Sequence, residues 1–434
     1  MSTPAGVVHT VRWQELCPWL LLVRAARVAL LIRVIALAML GVWAVQLGWR
    51  GIDAALTQPD PGPSFVELAS PPPLFADAAE PDVPETLPSS TAESPGQLYV
   101  PLAANRWTGP LVRAWAWQIQ PLTRLVDASG WRQVVGFLLA GVWTIAVWAL
   151  VGGAIARIAA LSLTRGETIG GFAALRAAAT RWTATAGAPT FSFCLIVAAG
   201  VPLVIGGLLM QSNLFAAVGG VLWFVAIGFG AFAAGLTLLH LIGIPFMWAT
   251  AAVERTDAFD GLSRAWAYTY SRPLHLVFYA LVATLLGLLA ETLVVLLVHW
   301  FVAAAWFGLS WGAGTERVAE LMAVGSAGET DGSVLLSWGA ASIRFWDAVL
   351  LSAATAFCMG YFWSAGTGIY LLMRRLVDST EVDEIAFDAS APEPGIPQLI
   401  DNPATGVPET QPIVKDAGTS GGTAPPAGPN STTE

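Results

Sequence analysis

Long apolar runs recur along the chain and are separated by shorter polar stretches. A run of about 20 apolar residues is long enough to cross the hydrocarbon core of a bilayer. Runs of that length predict an all-α, polytopic transmembrane bundle with six spanning helices. The predicted spans lie at residues 28–49, 133–156, 190–210, 214–252, 274–309 and 347–373.

The fourth run, residues 214–252, is too long for one straight crossing and too short for two crossings with a loop. A single tilted helix, perturbed near Pro245, is the economical interpretation. Gln211, Ser212 and Asn213 form a polar turn before this run, so spans three and four are expected to pair as an antiparallel hairpin. Two spans in this run remain the alternative.

A short amphipathic segment precedes the fifth span. Phe259, Leu262 and Trp266 recur at helical spacing and predict one apolar stripe, while Asp260 and Arg264 share the opposite face. Aromatic and basic side chains of this kind are enriched at the headgroup level of a bilayer. We predict a helix lying on the membrane surface. The predicted lipid-surface contacts are Trp182, Arg264, Trp266, Tyr268, Tyr270 and Arg272.

Two proline-rich or acidic segments interrupt the apolar pattern. Residues 51–105 carry eight acids and no base, and residues 377–434 carry ten acids and one lysine. Segments of this composition cannot bury enough apolar surface to fold alone, so both are predicted to be disordered. The pattern between 107 and 131 predicts a second helix lying on the membrane.

The resulting organisation has four parts. A basic N-terminus with the first span covers residues 1–50, an extracytoplasmic linker covers 51–105, a five-span bundle covers 106–376, and an acidic tail covers 377–434. The first apolar stretch also resembles a signal peptide, because Ala36, Leu37 and Ala38 resemble a cleavage site. The long basic region before it and Arg33 within it favour an uncleaved anchor.

Composition supports a membrane protein. The chain is 55% hydrophobic and 12% charged, with a mean hydropathy of +0.63, whereas soluble domains carry about 25% charged residues. The overall net charge is −9, but residues 51–105 contribute −8 and residues 377–434 contribute −9. The remaining residues of the chain therefore carry a net positive charge. The arginines are scattered at helix ends, so nucleic acid is not an expected partner.

Arginine placement predicts the orientation. With the N-terminus inside, thirteen basic residues fall on the cytoplasmic side and seven on the outer side. This bias follows the positive-inside rule. We therefore predict a multi-pass protein of the cell inner (cytoplasmic) membrane, with both termini and the surface helices in the cytoplasm.

An internal repeat is one further interpretation. Glu167, Phe172, Leu175 and Trp182 can be aligned at one constant offset with Glu254, Phe259, Leu262 and Thr269. Each set precedes a predicted span. Duplication of a unit of span, surface helix and span would explain the match, and so would chance agreement between two amphipathic segments.

The sequence at 259–276, FDGLSRAWAYTYSRPLHL, carries a family resemblance, supported by residues 152–181. It resembles uncharacterised bacterial six-span membrane proteins and is loosely similar to the membrane domain attached to some glycerophosphodiester phosphodiesterases. The catalytic domain of those enzymes has no counterpart here. The resemblance therefore implies architecture and no activity.

Glu291 is the sharpest candidate for a functional residue. It lies about 25 Å along the fifth span, at 1.5 Å per residue. An acid at that depth is costly and is by default a candidate functional site. It either relays protons or cations, or it is a protonated acid bonded to Thr144, Thr355 or Tyr361.

Other chemistry finds little support in the sequence. There is no HExxH, GxSxG or phosphate-loop lysine, and the cysteines and histidines are far apart. Catalytic residues, metals and cofactors are therefore not expected, and the three cysteines are predicted to lie in the core. The leading hypothesis is a non-enzymatic scaffold, accessory subunit or membrane-organising factor that binds lipid or partner proteins. A transporter or channel using Glu291 is the alternative, and an intramembrane enzyme ranks third.

Overall fold

The computed structural model describes residues 17–56, 109–125, 130–323 and 334–386, together with the backbone of two short strands at 399–401 and 408–410. The predicted linker at 51–105 lies almost entirely outside the described residues, as does most of the predicted tail. The chain divides into a first unit that ends at Ala386 and a second unit that begins at Phe387.

The described residues of the first unit form α-helices joined by short loops. Its helices are α1 Leu20–Ala29, α2 Ile32–Leu56, α3 Gly109–Arg124, α4 Trp131–Thr164, α5 Gly171–Ala179, α6 Trp182–Leu209, α7 Asn213–Val221, α8 Trp223–Glu254, α9 Ala258–Ser271, α10 Pro273–Ala313, α11 Thr315–Ala323 and α12 Val334–Asp378. In the second unit, β1 Leu399–Asp401 pairs antiparallel with β2 Pro408–Thr410.

Six of these helices are long and apolar enough to cross a membrane: α2, α4, α6, α8, α10 and α12. They overlap the six predicted runs, so the prediction of an all-α protein with six helices able to span a membrane is confirmed for the described residues. Backbone hydrogen bonds within each helix satisfy the polar groups that lipid cannot.

The core forms around α4 and α12, whose apolar residues are buried on every side over long stretches. A helix that is hydrophobic all round is typically enclosed by other helices. Trp363 of α12 packs against Trp148 and Trp248, with ring centroids 5.8 and 4.3 Å away. Gly152 makes this contact possible, since a Cβ there would lie 2.8 Å from the Trp363 ring.

The fourth apolar run departs from the prediction of one helix. It divides at Leu222 into the short helix α7 and the spanning helix α8, while α8 continues through Pro245. The Ser212 side chain accepts a hydrogen bond from the backbone N–H of Phe215 and caps α7. The run still contributes one span, so the predicted count is unchanged, and α6 packs beside α8 as predicted.

The helix α9 begins and ends where the sequence signals it. The Asp257 carboxylate accepts a hydrogen bond from the backbone N–H of Asp260 at 2.8 Å, which caps the helix. Pro273 then begins α10, a position that suits proline because its missing N–H has no partner there in any helix. The chain therefore breaks between the two helices at Arg272.

The predicted apolar stripe of α9 is only partly correct. Leu262 is buried, but Phe259 is 68% exposed and the buried face continues through Ala265 and Tyr268. α9 packs against α8 and α6, and its face is set by those neighbours.

The segment predicted as a second surface helix differs most from expectation. α3 packs against α4, α10 and α12. Ala114, Trp117, Gln118 and Pro121 are buried. Its tryptophans fill space between helices: Trp117 meets Trp49 at 5.1 Å between ring centroids.

The end of the first unit extends beyond the predicted start of the tail at residue 377. The backbone N–H of Ala386 donates to the carbonyl of Val253 at 3.0 Å, and Ile385 is buried. Arg157 holds the same segment by donating to the carbonyls of Ala252 and Ala386, both at 2.9 Å. Residues 379–386 are therefore part of the packed helical unit.

The cysteines do not share one environment. Cys358 is buried as predicted, whereas Cys194 is exposed on α6 and Cys17 is partly buried. The prediction of three core cysteines is wrong for Cys194, because α6 turns that face away from the other helices.

Candidate functional site

Glu291 lies on the one face of α10 that points into the bundle. Buried residues recur along this helix at every third or fourth position: Leu276, Tyr279, Ala283, Gly287, Glu291, Val295 and Val298. The remaining faces of the helix are largely exposed and apolar. The position of Glu291 in the helical repeat thus directs its carboxylate into the bundle.

The partner of Glu291 is an arginine on another helix. The Arg113 guanidinium of α3 donates to the Glu291 carboxylate and forms an ion pair. The two side chains are only 10% and 6% exposed. The predicted partners form other bonds: Thr144 donates to the carbonyl of Ala140, and Tyr361 donates to that of Ala283.

α3 and α10 approach closely because glycine, which has no side chain, stands at their points of contact. A Cβ at Gly109 would lie 2.5 Å from the Thr284 side chain, and a Cβ at Gly287 would lie 2.7 Å from Pro110 Cγ. Gly109 also has a φ of +69°, a backbone conformation that favours glycine. Successive contacts pair Gly109 with Thr284, Pro110 with Gly287 and Arg113 with Glu291. Residue numbers rise together in both helices, so the start of α3 runs parallel to α10.

Cys358 completes the surroundings of the ion pair from α12. Its thiol donates to the carbonyl of Pro110 at 3.3 Å. Three helices thus meet at this point, and the two charges are removed from bulk solvent. A buried ion pair of this kind gains Coulomb energy at the cost of desolvation, so its net contribution to stability is small, whereas loss of one partner is costly.

A second cluster of charges lies where α8 ends. Glu254 pairs with Arg264 at 2.5 Å and with Arg374 at 3.1 Å, and it accepts a hydrogen bond from the Tyr370 hydroxyl. Arg264 also reaches Asp260 at 3.2 Å. Glu254 therefore ties α8 to α9 and α12, and it was not among the predicted site residues.

Tyr268 does not make the predicted lipid contact. It is 2% exposed, and its hydroxyl donates to the Asp378 carboxylate. Burial raises the pKa of Tyr268 above its usual range, and the hydrogen bond and the charge of Asp378 act in the same direction. The residue is a neutral structural link between α9 and the end of α12.

The other residues predicted to contact lipid differ in their exposure. Tyr270 is 66% exposed and Trp182 is exposed, although the Trp182 indole N–H donates to the carbonyl of Ala146. Trp266 is partly buried against the core, and Arg272 is exposed immediately before α10. Arg264 is taken up by the ion pairs described above, so the structure does not bring the six residues together as one surface.

Arg113 is the partner of Glu291 that the sequence reasoning missed. It stands in a stretch rich in tryptophan that was assigned to the membrane surface, 178 positions from its partner. The rule that a charge inside a membrane almost always has a partner was the available signal. Use of this rule would have required a search for an arginine that lies among apolar residues at the same membrane depth as Glu291.

Metal binding finds no support among the residues that the structure describes, where no three histidine, cysteine, aspartate or glutamate side chains come together. Comparisons with protein-family models, curated proteins and solved structures found no match. The resemblance to bacterial six-span proteins therefore stays a prediction.

Proposed function

We propose that this protein is a non-enzymatic integral membrane protein that acts as a scaffold, accessory subunit or membrane-organising factor and binds lipid or partner proteins. The observation that carries the proposal is the exposure of the hairpin formed by α6 and α8. In the most apolar window of each helix, only 6% and 11% of residues are buried, compared with 67% in α12.

The exposed hairpin surface has the composition of a helix-packing surface. Large apolar side chains such as Val204 and Ile227 alternate with glycines, and a Cβ added at Gly206, Gly228 or Gly230 would meet nothing within 4 Å. Small residues let helix backbones approach closely inside a membrane, where van der Waals packing drives association. The hairpin therefore suits a further transmembrane helix better than it suits an aqueous substrate.

A photo-crosslinking amino acid at Val204 or Ile227, in cells expressing the full chain, tests this proposal. We expect a discrete protein adduct at both positions. The matched control is Leu47 of α2, which is 73% exposed but lies away from the hairpin and should react with lipid alone. Lipid adducts alone at all three positions would refute partner binding through the hairpin.

The proposed location is the bacterial inner membrane, with both termini in the cytoplasm. The arginine bias along the sequence supports this orientation. The exposed aromatic side chains Phe259 and Tyr270 support contact between α9 and the headgroup region. In that arrangement α9 lies beside the cytoplasmic surface of the membrane while its inner face packs on the bundle.

A transporter or channel is the second candidate, and the inward-facing ion pair of Arg113 and Glu291 is the observation that favours it. Proton flux through the purified protein in liposomes, driven by a potassium diffusion potential and read with an entrapped pH dye, separates the candidates. A transporter should conduct, and Glu291→Gln should abolish the flux. A scaffold should show no flux above that of empty liposomes.

A further inference from the structure

We propose that a cavity among α3, α4, α6 and α8 is an intramembrane binding site for the hydroxyl end of a lipophilic molecule. The cavity has a volume of about 70 Å³. One water molecule needs at least about 10–15 Å³ measured in this way, so the space is large enough for a small polar head group. This site is separate from the ion pair and from the exposed hairpin surface.

Most of the lining is apolar. Trp115, Leu138, Val142, Phe193 and Ile244 belong to this apolar lining, together with neighbouring aliphatic residues. The lining also includes Thr144 and Thr190, but their hydroxyls donate to carbonyls of their own helices. A molecule in this cavity would therefore be mainly lipophilic.

Two polar side chains in the lining are buried and have unsatisfied atoms. His240 is 2% exposed and Gln118 is 6% exposed, and both line the cavity. No hydrogen-bond partner meets His240 Nε2 or Gln118 Oε1 within the described part of the chain. A buried polar atom without a partner costs about 1–3 kcal/mol, so a site that keeps two of them is suited to a ligand that satisfies them.

The surroundings of both side chains fix them in place. His240 Nδ1 lies 2.9 Å from Ser192 Oγ on the neighbouring span, which orients the imidazole ring. Gln118 Nε2 donates to the carbonyl of Ala114 at 3.2 Å, so its oxygen is the atom left over. The other polar atom of each side chain makes a hydrogen bond, and this bond fixes the position of the unsatisfied atom.

The cavity is open toward the bilayer. Leu138 and Val142 of α4 line it and are 36% and 62% exposed, and Thr190 of α6 is also exposed. These residues belong to spanning helices, so the exposed side faces lipid. A ligand would therefore enter sideways from the membrane.

A hydroxyl group is the simplest polar group that fits both orphaned atoms. Gln118 Oε1 accepts a hydrogen bond and needs a donor. An uncharged imidazole nitrogen either donates or accepts, depending on which nitrogen carries the proton. A hydroxyl can donate its one proton to Gln118 Oε1 and accept from His240 Nε2–H, in the tautomer whose Nδ1 accepts from the Ser192 hydroxyl. Its hydrocarbon chain would then lie against the apolar wall.

The test uses the full-length protein in lipid nanodiscs and a long-chain alcohol that carries a photoreactive diazirine. Labelled peptides are identified by mass spectrometry. We expect labels on peptides containing Trp115, Val142 or Ile244, and competition by oleyl alcohol. Methyl oleate, which has the chain but no hydroxyl, should not compete.

Variants test the two polar groups. We expect His240→Phe and Gln118→Leu each to weaken competition by oleyl alcohol about tenfold, the effect of losing one good hydrogen bond. His299→Phe is the matched control, because the His299 ring lies on α10 and contacts the carbonyl of Val295 in its own helix. It should compete like the unaltered protein.

Folding has its own measurement. The melting temperature of each ligand-free variant is measured separately, because removal of the orphaned atom favours folding while loss of the bond to Ser192 or to Ala114 opposes it. Three results would overturn the proposal: no labelled peptide from the cavity wall, equal competition by methyl oleate, or unchanged competition in both variants. The first would indicate a cavity that holds water alone.

Discussion

The Arg113 guanidinium pairs with the Glu291 carboxylate and joins α3 to α10 across 178 positions of the sequence. The pair turns the deep acid from an isolated charge into one half of a structural contact. It also explains why α3 packs against the bundle: leaving it at the membrane surface would expose Arg113 to solvent and leave Glu291 unpaired among apolar helices.

Removal of one member of this pair should destabilise the protein strongly. We expect Glu291→Leu to lower the free energy of unfolding by about 3–5 kcal/mol, because Arg113 is left as an uncompensated buried charge. The double variant Arg113→Met with Glu291→Leu should recover most of that loss. Unfolding in mixed detergent micelles measures both.

The exposed pair of Arg317 and Glu320 supplies the control for that prediction. These side chains are 51% and 49% exposed and lie three residues apart. Glu320→Gln should change the unfolding free energy by less than about 1 kcal/mol. Equal losses for Glu291→Leu and Glu320→Gln would contradict the assignment of a buried pair.

Enlarging Gly287 should separate α3 from α10. A Cβ there would overlap the Tyr361 ring and crowd Pro110, so we expect Gly287→Val to cost about 1–3 kcal/mol. Gly312 lies in the same helix with nothing within 4 Å of an added Cβ. Gly312→Ala should be neutral or slightly stabilising, since alanine favours helix. Thermal unfolding of both variants provides the comparison.

Glu254 should control the attachment of α9 and of residues 379–386. Loss of its carboxylate in Glu254→Ala leaves Arg264, Arg374 and Tyr370 without their shared acceptor. We expect a loss of about 3 kcal/mol and faster tryptic cleavage after Arg374. Asp260→Asn removes only the more exposed contact of Arg264 and should leave cleavage near the original rate. An unchanged rate of cleavage after Arg374 in Glu254→Ala would contradict the prediction.

Membrane topology can be measured with single cysteines at Ser89, Thr256 and Ser420 in a background lacking the three native cysteines. With six spans and cytoplasmic termini, a membrane-impermeant thiol reagent added to intact spheroplasts should label Ser89→Cys alone. Disruption of the membrane should expose all three positions. Labelling of Thr256→Cys or Ser420→Cys in intact spheroplasts would reverse the predicted orientation.

The starts of α9 and α10 each depend on a single segment of the sequence. Asp257 caps α9 and Pro273 begins α10, because both effects involve only neighbouring backbone groups. The inward direction of Glu291 also follows from one helix. By contrast, the break at Leu222 was hidden within one apolar run, since lipid-facing sequence carries little turn signal.

The sequence by itself determined the six spanning helices, since the bilayer requires a local apolar run for each crossing and a helix satisfies its own backbone. Only the tertiary structure decided that Arg113 pairs with Glu291, that Tyr268 is buried beside Asp378, and that α3 enters the bundle. These outcomes depend on which helix faces lie together, and hydropathy is nearly the same on all faces of α10 and α12. Close packing and the cost of an unpaired charge select the partner, and both act between distant parts of the chain.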